Sequence, residues 1–133
     1  MGAHYFPEDY RVIGKLIGAN MNVTTDQGIT IQGLNDQFTK YVVERIVVTN
    51  ASISLTTAAG GVYTAASKSG AIVAAGQVYS ALTAATKYVA LTLTGASLTD
   101  VLTVSTIYLS LTTGQGAAAT ADVYIYGRLF QGA

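Results

Sequence analysis

The side chains that ordinarily carry chemistry are few in this sequence, and their spacing does not bring them together. His4 is the one histidine, and it sits in an aromatic opening stretch with no clear period. A nucleophilic triad needs a base that is rigidly held and oriented by a third group, and such a stretch is a poor place to hold one. There is no cysteine, which excludes disulfide scaffolds, thiolate zinc sites and cysteine nucleophiles together. The carboxylates are Glu8, Asp9, Asp26, Asp36, Glu44, Asp100 and Asp122. Glycoside hydrolysis needs two of them held about 5 to 9.5 Å apart across a cleft, and no spacing forces a pair, Asp100 with Asp122 being the one to watch. One histidine and no aspartate-rich loop leave no zinc or calcium pattern. Gly114-Gln115-Gly116 lacks the further glycine and helix of a phosphate loop and reads as a turn. The expectation is no catalytic residue, no metal and no cofactor.

The basic residues are equally uninformative as a nucleic-acid signal. Lys15, Lys40, Arg45, Lys68, Lys87 and Arg128 are scattered among acids, and the chain of 133 residues has a net charge of zero. A nucleic-acid partner would want a basic stripe interleaved with aromatics. Residues 46–67 form the longest uncharged stretch, but Thr, Ser, Asn and Gly interrupt it too often for a membrane helix. The opening residues lack a basic region followed by an apolar run, so no signal peptide is expected. Phe6 stands where a myristoylation signal needs Ser or Thr. Asn22-Val23-Thr24 and Asn50-Ala51-Ser52 fit the glycosylation pattern, as chance allows in a chain so rich in Thr and Ser. Charged residues are 11% of the chain, against about 25% in typical soluble domains. Little charge and no net charge favour association, so the surface reads as one meant to be covered.

Nine of the fourteen charged residues lie in the first 45 positions. Residues 1–10 hold three rings, the only proline and two carboxylates without a period, and read as an N-terminal arm. Residues 11–133 read as one domain, long enough to bury about two-thirds of its surface. Within it the apolar pattern has period two: Ile46 and Val48; Ile53 and Leu55; Val89, Leu91 and Leu93; Ile107, Leu109 and Leu111; Val123 and Ile125. Each predicts a half-buried strand. Turns are expected at Gly28, Gly33, Gly60-Gly61, Gly70, Gly76, Gly95 and Gly114-Gln115-Gly116. A helical turn or two is conceivable only over residues 74–85, where Gly76 weakens it. Residues 54–60 and 110–116 echo one another, as a duplicated hairpin would. The fold class is all-β: a small antiparallel β-sandwich of jelly-roll type with an N-terminal arm, an immunoglobulin-like sandwich being second.

Of the nine tyrosines, Tyr108, Tyr124 and Tyr126 fall on the strand face opposite the aliphatic one. A large ring with a polar tip suits protein contacts. With His4, Tyr5, Phe6 and Tyr10 of the arm, these three form the candidate interface.

The stretch from Ile46 through Val47-Val48-Thr49-Asn50-Ala51-Ser52 and Leu55-Thr56-Thr57-Ala58-Ala59-Gly60-Gly61 to Ala66, and residues 107–127, resemble the small Ala/Thr/Gly-rich structural proteins of tailed bacteriophages, the capsid decoration or cement proteins above all. The likeness covers about 60% of the chain and lies in strand phrasing, not in a diagnostic motif. The resemblance implies a virion β-sandwich on the outer capsid surface that clamps neighbouring major capsid subunits, often as a dimer or trimer, without enzymatic activity. A tail or head-to-tail joining protein is the alternative within that class. A carbohydrate-binding module, with tyrosines stacking on sugars, is the alternative outside it.

Overall fold

The computed structural model describes residues 11–94 and 100–131. The arm, with His4, Tyr5, Phe6 and Tyr10, lies outside the described residues, as does Gly95. Among the described residues there is no helix. Eight strands follow in order: β1 (Arg11–Asn20), β2 (Gln27–Thr30), β3 (Phe38–Thr49), β4 (Ala59–Ala65), β5 (Ser69–Val78), β6 (Tyr88–Ala90), β7 (Thr106–Thr113) and β8 (Thr120–Gln131).

They form two four-stranded antiparallel sheets of order β1-β8-β3-β6 and β2-β7-β4-β5. First pairs with last, second with seventh, third with sixth and fourth with fifth. That nesting is one long antiparallel ribbon wound around a core, the eight-strand jelly roll. It separates the fold from the immunoglobulin-like alternative.

The core comes from one face of each sheet. Ile107, Leu109 and Leu111 of β7 meet Val123, Ile125 and Leu129 of β8, all fully buried, as period-two alternation requires. In β3 the inward positions change parity, from Tyr41 and Val43 to Ile46 and Val48. The register shift between Val43 and Arg45 explains this: a bulge inserts one residue, leaving Glu44 and Arg45 both exposed and returning the apolar side chains to the core. Tyr41 and Tyr79 are fully buried but lose no hydrogen bond. Their hydroxyls donate to the Val104 and Gly60 carbonyls, and burial pushes both phenols well above the ordinary tyrosine pKa.

Four local expectations are corrected. Residues 52–56 form no strand. They carry the chain from one sheet to the other, Ser52 bonding to Thr120 and Leu55 to Leu82, so Leu55 is buried while Ile53 stays 41% exposed. Residues 74–78 belong to β5 and no helix follows, the neighbouring β4 supplying the hydrogen bonds that an alanine-rich helix would have made for itself. Gly28, Gly60-Gly61, Gly70 and Gly76 lie inside strands. Gly60 lies there with φ of 154°, and a Cβ would come within 2.3 Å of the Leu111 Cα, so the glycine admits a close strand approach. The echo does not correspond to a duplication, because 110–113 is strand and 54–57 is loop.

Candidate binding surface

The outward positions of β1-β8-β3-β6 build a continuous face. Across the sheet, register sets Val12 beside Tyr126 and Tyr126 beside Arg45, then Lys15 beside Tyr124, Val47 and Ala90. Toward one end Arg128 lies opposite Val42, and Phe130 opposite Lys40. Tyr88 closes the β6 edge opposite Thr49 and is 60% exposed. Arg45 places its guanidinium carbon 5.9 Å from the centre of the Tyr88 ring, a cation–π contact. Arg45, Val47, Tyr88 and Tyr126 line a shallow cleft of about 370 Å³.

The charge on this face is lopsided. Lys15, Lys40, Arg45 and Arg128 stand against Glu44 and Asp122. Glu44 is committed to Arg128. Asp122 is nearly buried and accepts hydrogen bonds from the Gly18 amide at 2.8 Å and the Asn50 side-chain amide at 3.0 Å. Those two bonds hold Gly18 and Asn50 in left-handed conformations, φ 70° and 56°, so the carboxylate serves the fold.

The outer face of β2-β7-β4-β5 is different in kind. Tyr108 lies opposite Gly28 and Tyr63, and Ser110 opposite Gly61. Asp26 accepts from the Ser110 hydroxyl and from the Ser67 amide, both at 2.8 Å. Lys68 Nζ donates to the Thr24 carbonyl at 3.1 Å. Ser67 and Lys68 both have positive φ, 60° and 56°, the geometry of a hairpin turn that favours Asn-Gly. The Asp26 carboxylate stabilises that turn from outside. The Ser67 amide first, then the Ser110 hydroxyl and the Lys68 charge, hold its pKa below the ordinary aspartate value.

Tyr108, Tyr124 and Tyr126 therefore do not form one patch. All three point outward and are half-buried, but Tyr108 is on one sheet and the other two on the opposite sheet. Alternation reports which side of its own strand a residue faces, whereas sheet membership is set by the winding. Arg45, Val47 and Tyr88, which complete the cleft around Tyr126, carry no sequence signal beyond the charged pair Glu44-Arg45 interrupting the β3 alternation. Gly114-Gln115-Gly116 is a turn: Gln115 Oε1 accepts from the Thr57 and Ala58 amides, and Gly116 donates to Asn22. Asp100 and Asp122 do not converge. Asp100 precedes the Leu102 bridge to Tyr41 near the start of β3, whereas Asp122 pairs with Thr49 at its end. Among the described residues no cluster of three or more His, Cys, Asp or Glu could hold a metal ion.

Comparison with models of protein families, with curated proteins and with solved structures finds no match to this chain.

Proposed function

We propose that this protein is a non-enzymatic virion component that binds the outer surface of a tailed-phage capsid and stabilises contacts between major capsid subunits, as a dimer or trimer. The observation that carries the reading is the outer face of β1-β8-β3-β6. It gathers Lys15, Lys40 and Arg45 beside exposed aromatic and aliphatic side chains, and among the described residues these three cations have no ion-pair partner. Aromatic rings with arginine at the centre of a patch are what protein interfaces enrich. The strand phrasing shared with decoration proteins points the same way, and jelly rolls recur in capsid domains, a fold-level analogy that adds weight without assigning a role. Repetition over a lattice would multiply a modest contact at each site.

The test is binding of the purified protein to phage heads that lack it, imaged by electron microscopy. Regular density over the head, lost on Arg45→Glu with Tyr88→Ala, is the expected result. Density confined to the portal axis would favour the head-to-tail joining role instead. Binding to a glycan array without binding to heads would favour a sugar module, though the cleft offers an arginine where sugar recognition would want Asp or Asn beside the tyrosines.

A further inference from the structure

The outer face of β1-β8-β3-β6 constrains the chemistry of whatever covers it. Lys15, Arg45 and Lys40 are exposed on three different rows of the sheet, beside Tyr124, Tyr126 and Phe130 in turn. Among the described residues none of the three has an ion-pair partner, although Arg45 makes its cation–π contact with Tyr88. The carboxylates on this side are already engaged, Glu44 by Arg128 and Asp122 by Gly18 and Asn50. The other described carboxylates, Asp26, Asp36 and Asp100, lie outside the strands of this sheet.

The face is large enough to be an interface. β3 and β8 are each 12 residues long, which makes it about 40 Å by 15 to 19 Å, close to the ~800 Å² per partner of a standard interface. Covering it would take the three cations out of water. An ion buried without a counterion is strongly unfavourable, whereas a carboxylate set against it recovers much of the loss. A neutral or cationic partner is therefore disfavoured. So is a second copy docked through the same face, because a two-fold contact sets like charge against like. A nucleic-acid strand fits less well than a protein. Lys15 and Arg45 stand on opposite sides of β8, about 10 Å apart across the strands, with Val12, Val42 and Val47 on the same side of the sheet. Phosphates want a continuous basic track, whereas cations dispersed among apolar side chains suit a protein interface.

We propose, resting on the reading of this face as a docking surface, that its partner is an acidic protein surface, with carboxylates set against Lys15, Lys40 and Arg45 around a centre of rings and aliphatic side chains. On a capsid this selects an acidic patch of the shell. The same charge rules the face out as a contact between copies, so any dimer or trimer of this chain forms through another surface.

The test titrates the full chain with poly-L-glutamate, poly-L-lysine and an oligothymidylate of similar length. Poly-L-glutamate should bind and poly-L-lysine should not, and raising salt from about 50 to 200 mM should weaken the binding about tenfold. Lys15→Gln, Lys40→Gln and Arg45→Gln should each weaken it about two- to fivefold, and Lys68→Gln, which removes the same charge from the β4-β5 hairpin of the other sheet, by less than about twofold. Equal losses for Lys68→Gln and the face variants, no binding of poly-L-glutamate, or tighter binding of oligothymidylate would overturn the proposal. Light scattering should give one oligomeric state for all variants; a state that shifts with the face variants would place the face between copies and overturn it too. Phage heads separate the two readings. Head binding that survives the triple substitution keeps the virion role and overturns the acidic partner. Face-dependent binding of poly-L-glutamate without head binding does the reverse. Thermal melting verifies that each variant is folded.

Discussion

The two outer faces of this jelly roll are made of the same few residue types and are used in opposite ways. On β2-β7-β4-β5, the polar outward groups are tied down: Gly61 lies against the β5 backbone, Ser110 donates to Asp26, and Asp26 holds the Ser67-Lys68 turn, while Ile72 and Val78 of β5 stay exposed. On β1-β8-β3-β6, Lys15, Lys40, Arg45 and Arg128 share the outward side with Tyr88, Tyr124, Tyr126 and Phe130, and among the described residues only Arg128 of these cations has an ion-pair partner. The polar groups of the first face serve the fold, whereas most cations of the second, the available face, do not. In a chain with so little charge, four cations on one face are a more telling feature than the zero net charge that hides them.

The largest effect should come from the crowded sheet. Gly60→Ala forces a Cβ to within 2.3 Å of the Leu111 Cα, and overpacking together with the backbone conformation should cost about 3 kcal/mol or more, read from urea denaturation. A loss below about 1 kcal/mol would mean that this sheet has slack to shift its strands. Next comes the exception on the available face. Asp122→Ala strands the Gly18 amide and the Asn50 side chain and should cost about 2 kcal/mol. A neutral result would place Asp122 among the spare side chains after all.

Asp26 gives the comparison a pH signature. Its native pKa is lowered from 3.8, so the stability it contributes is fully present above that value. It fades as the pH falls through the lower native pKa, because the unfolded chain takes up the proton first. Asp26→Asn should flatten stability against pH in this acid range, and an unchanged profile would remove the turn-stabilising role. The smallest effects on stability belong to the available face. Arg45→Ala and Tyr88→Ala should each cost about 0.5 to 1 kcal/mol with a coupling of about 0.5 kcal/mol in a double-mutant cycle. Glu44→Ala should cost about 0.5 kcal/mol or less, as exposed ion pairs do. A fold that collapsed on any of these three would erase the distinction between the faces.

Much of this architecture was legible along the chain. Alternation in 107–111 and 123–125 predicts both the strands and which side chains enter the core, because a pleated strand between core and solvent has no other way to sort them. The outward aspect of Tyr108, Tyr124 and Tyr126 follows from the same pattern. The crossing at 52–56 was not legible: Ile53 and Leu55 alternate like a strand, yet only Leu55 is drawn under the neighbouring loop at Leu82. Nor was the cleft, since Arg45, Val47, Tyr88 and Tyr126 come from three strands that nothing local places side by side.

By itself the sequence determined the fold class, the inward and outward sides of the main strands and the scarcity of reactive groups, because each depends on residue type and on spacing within one element. Only the tertiary structure decided which outward sides share a face. Winding places β7 and β8 in opposite sheets and brings β3, β6 and β8 into one. That assignment parts Tyr108 from Tyr124 and Tyr126, and it gathers scattered cations and rings onto one surface, because strand pairing is a contact between distant segments that no local pattern encodes.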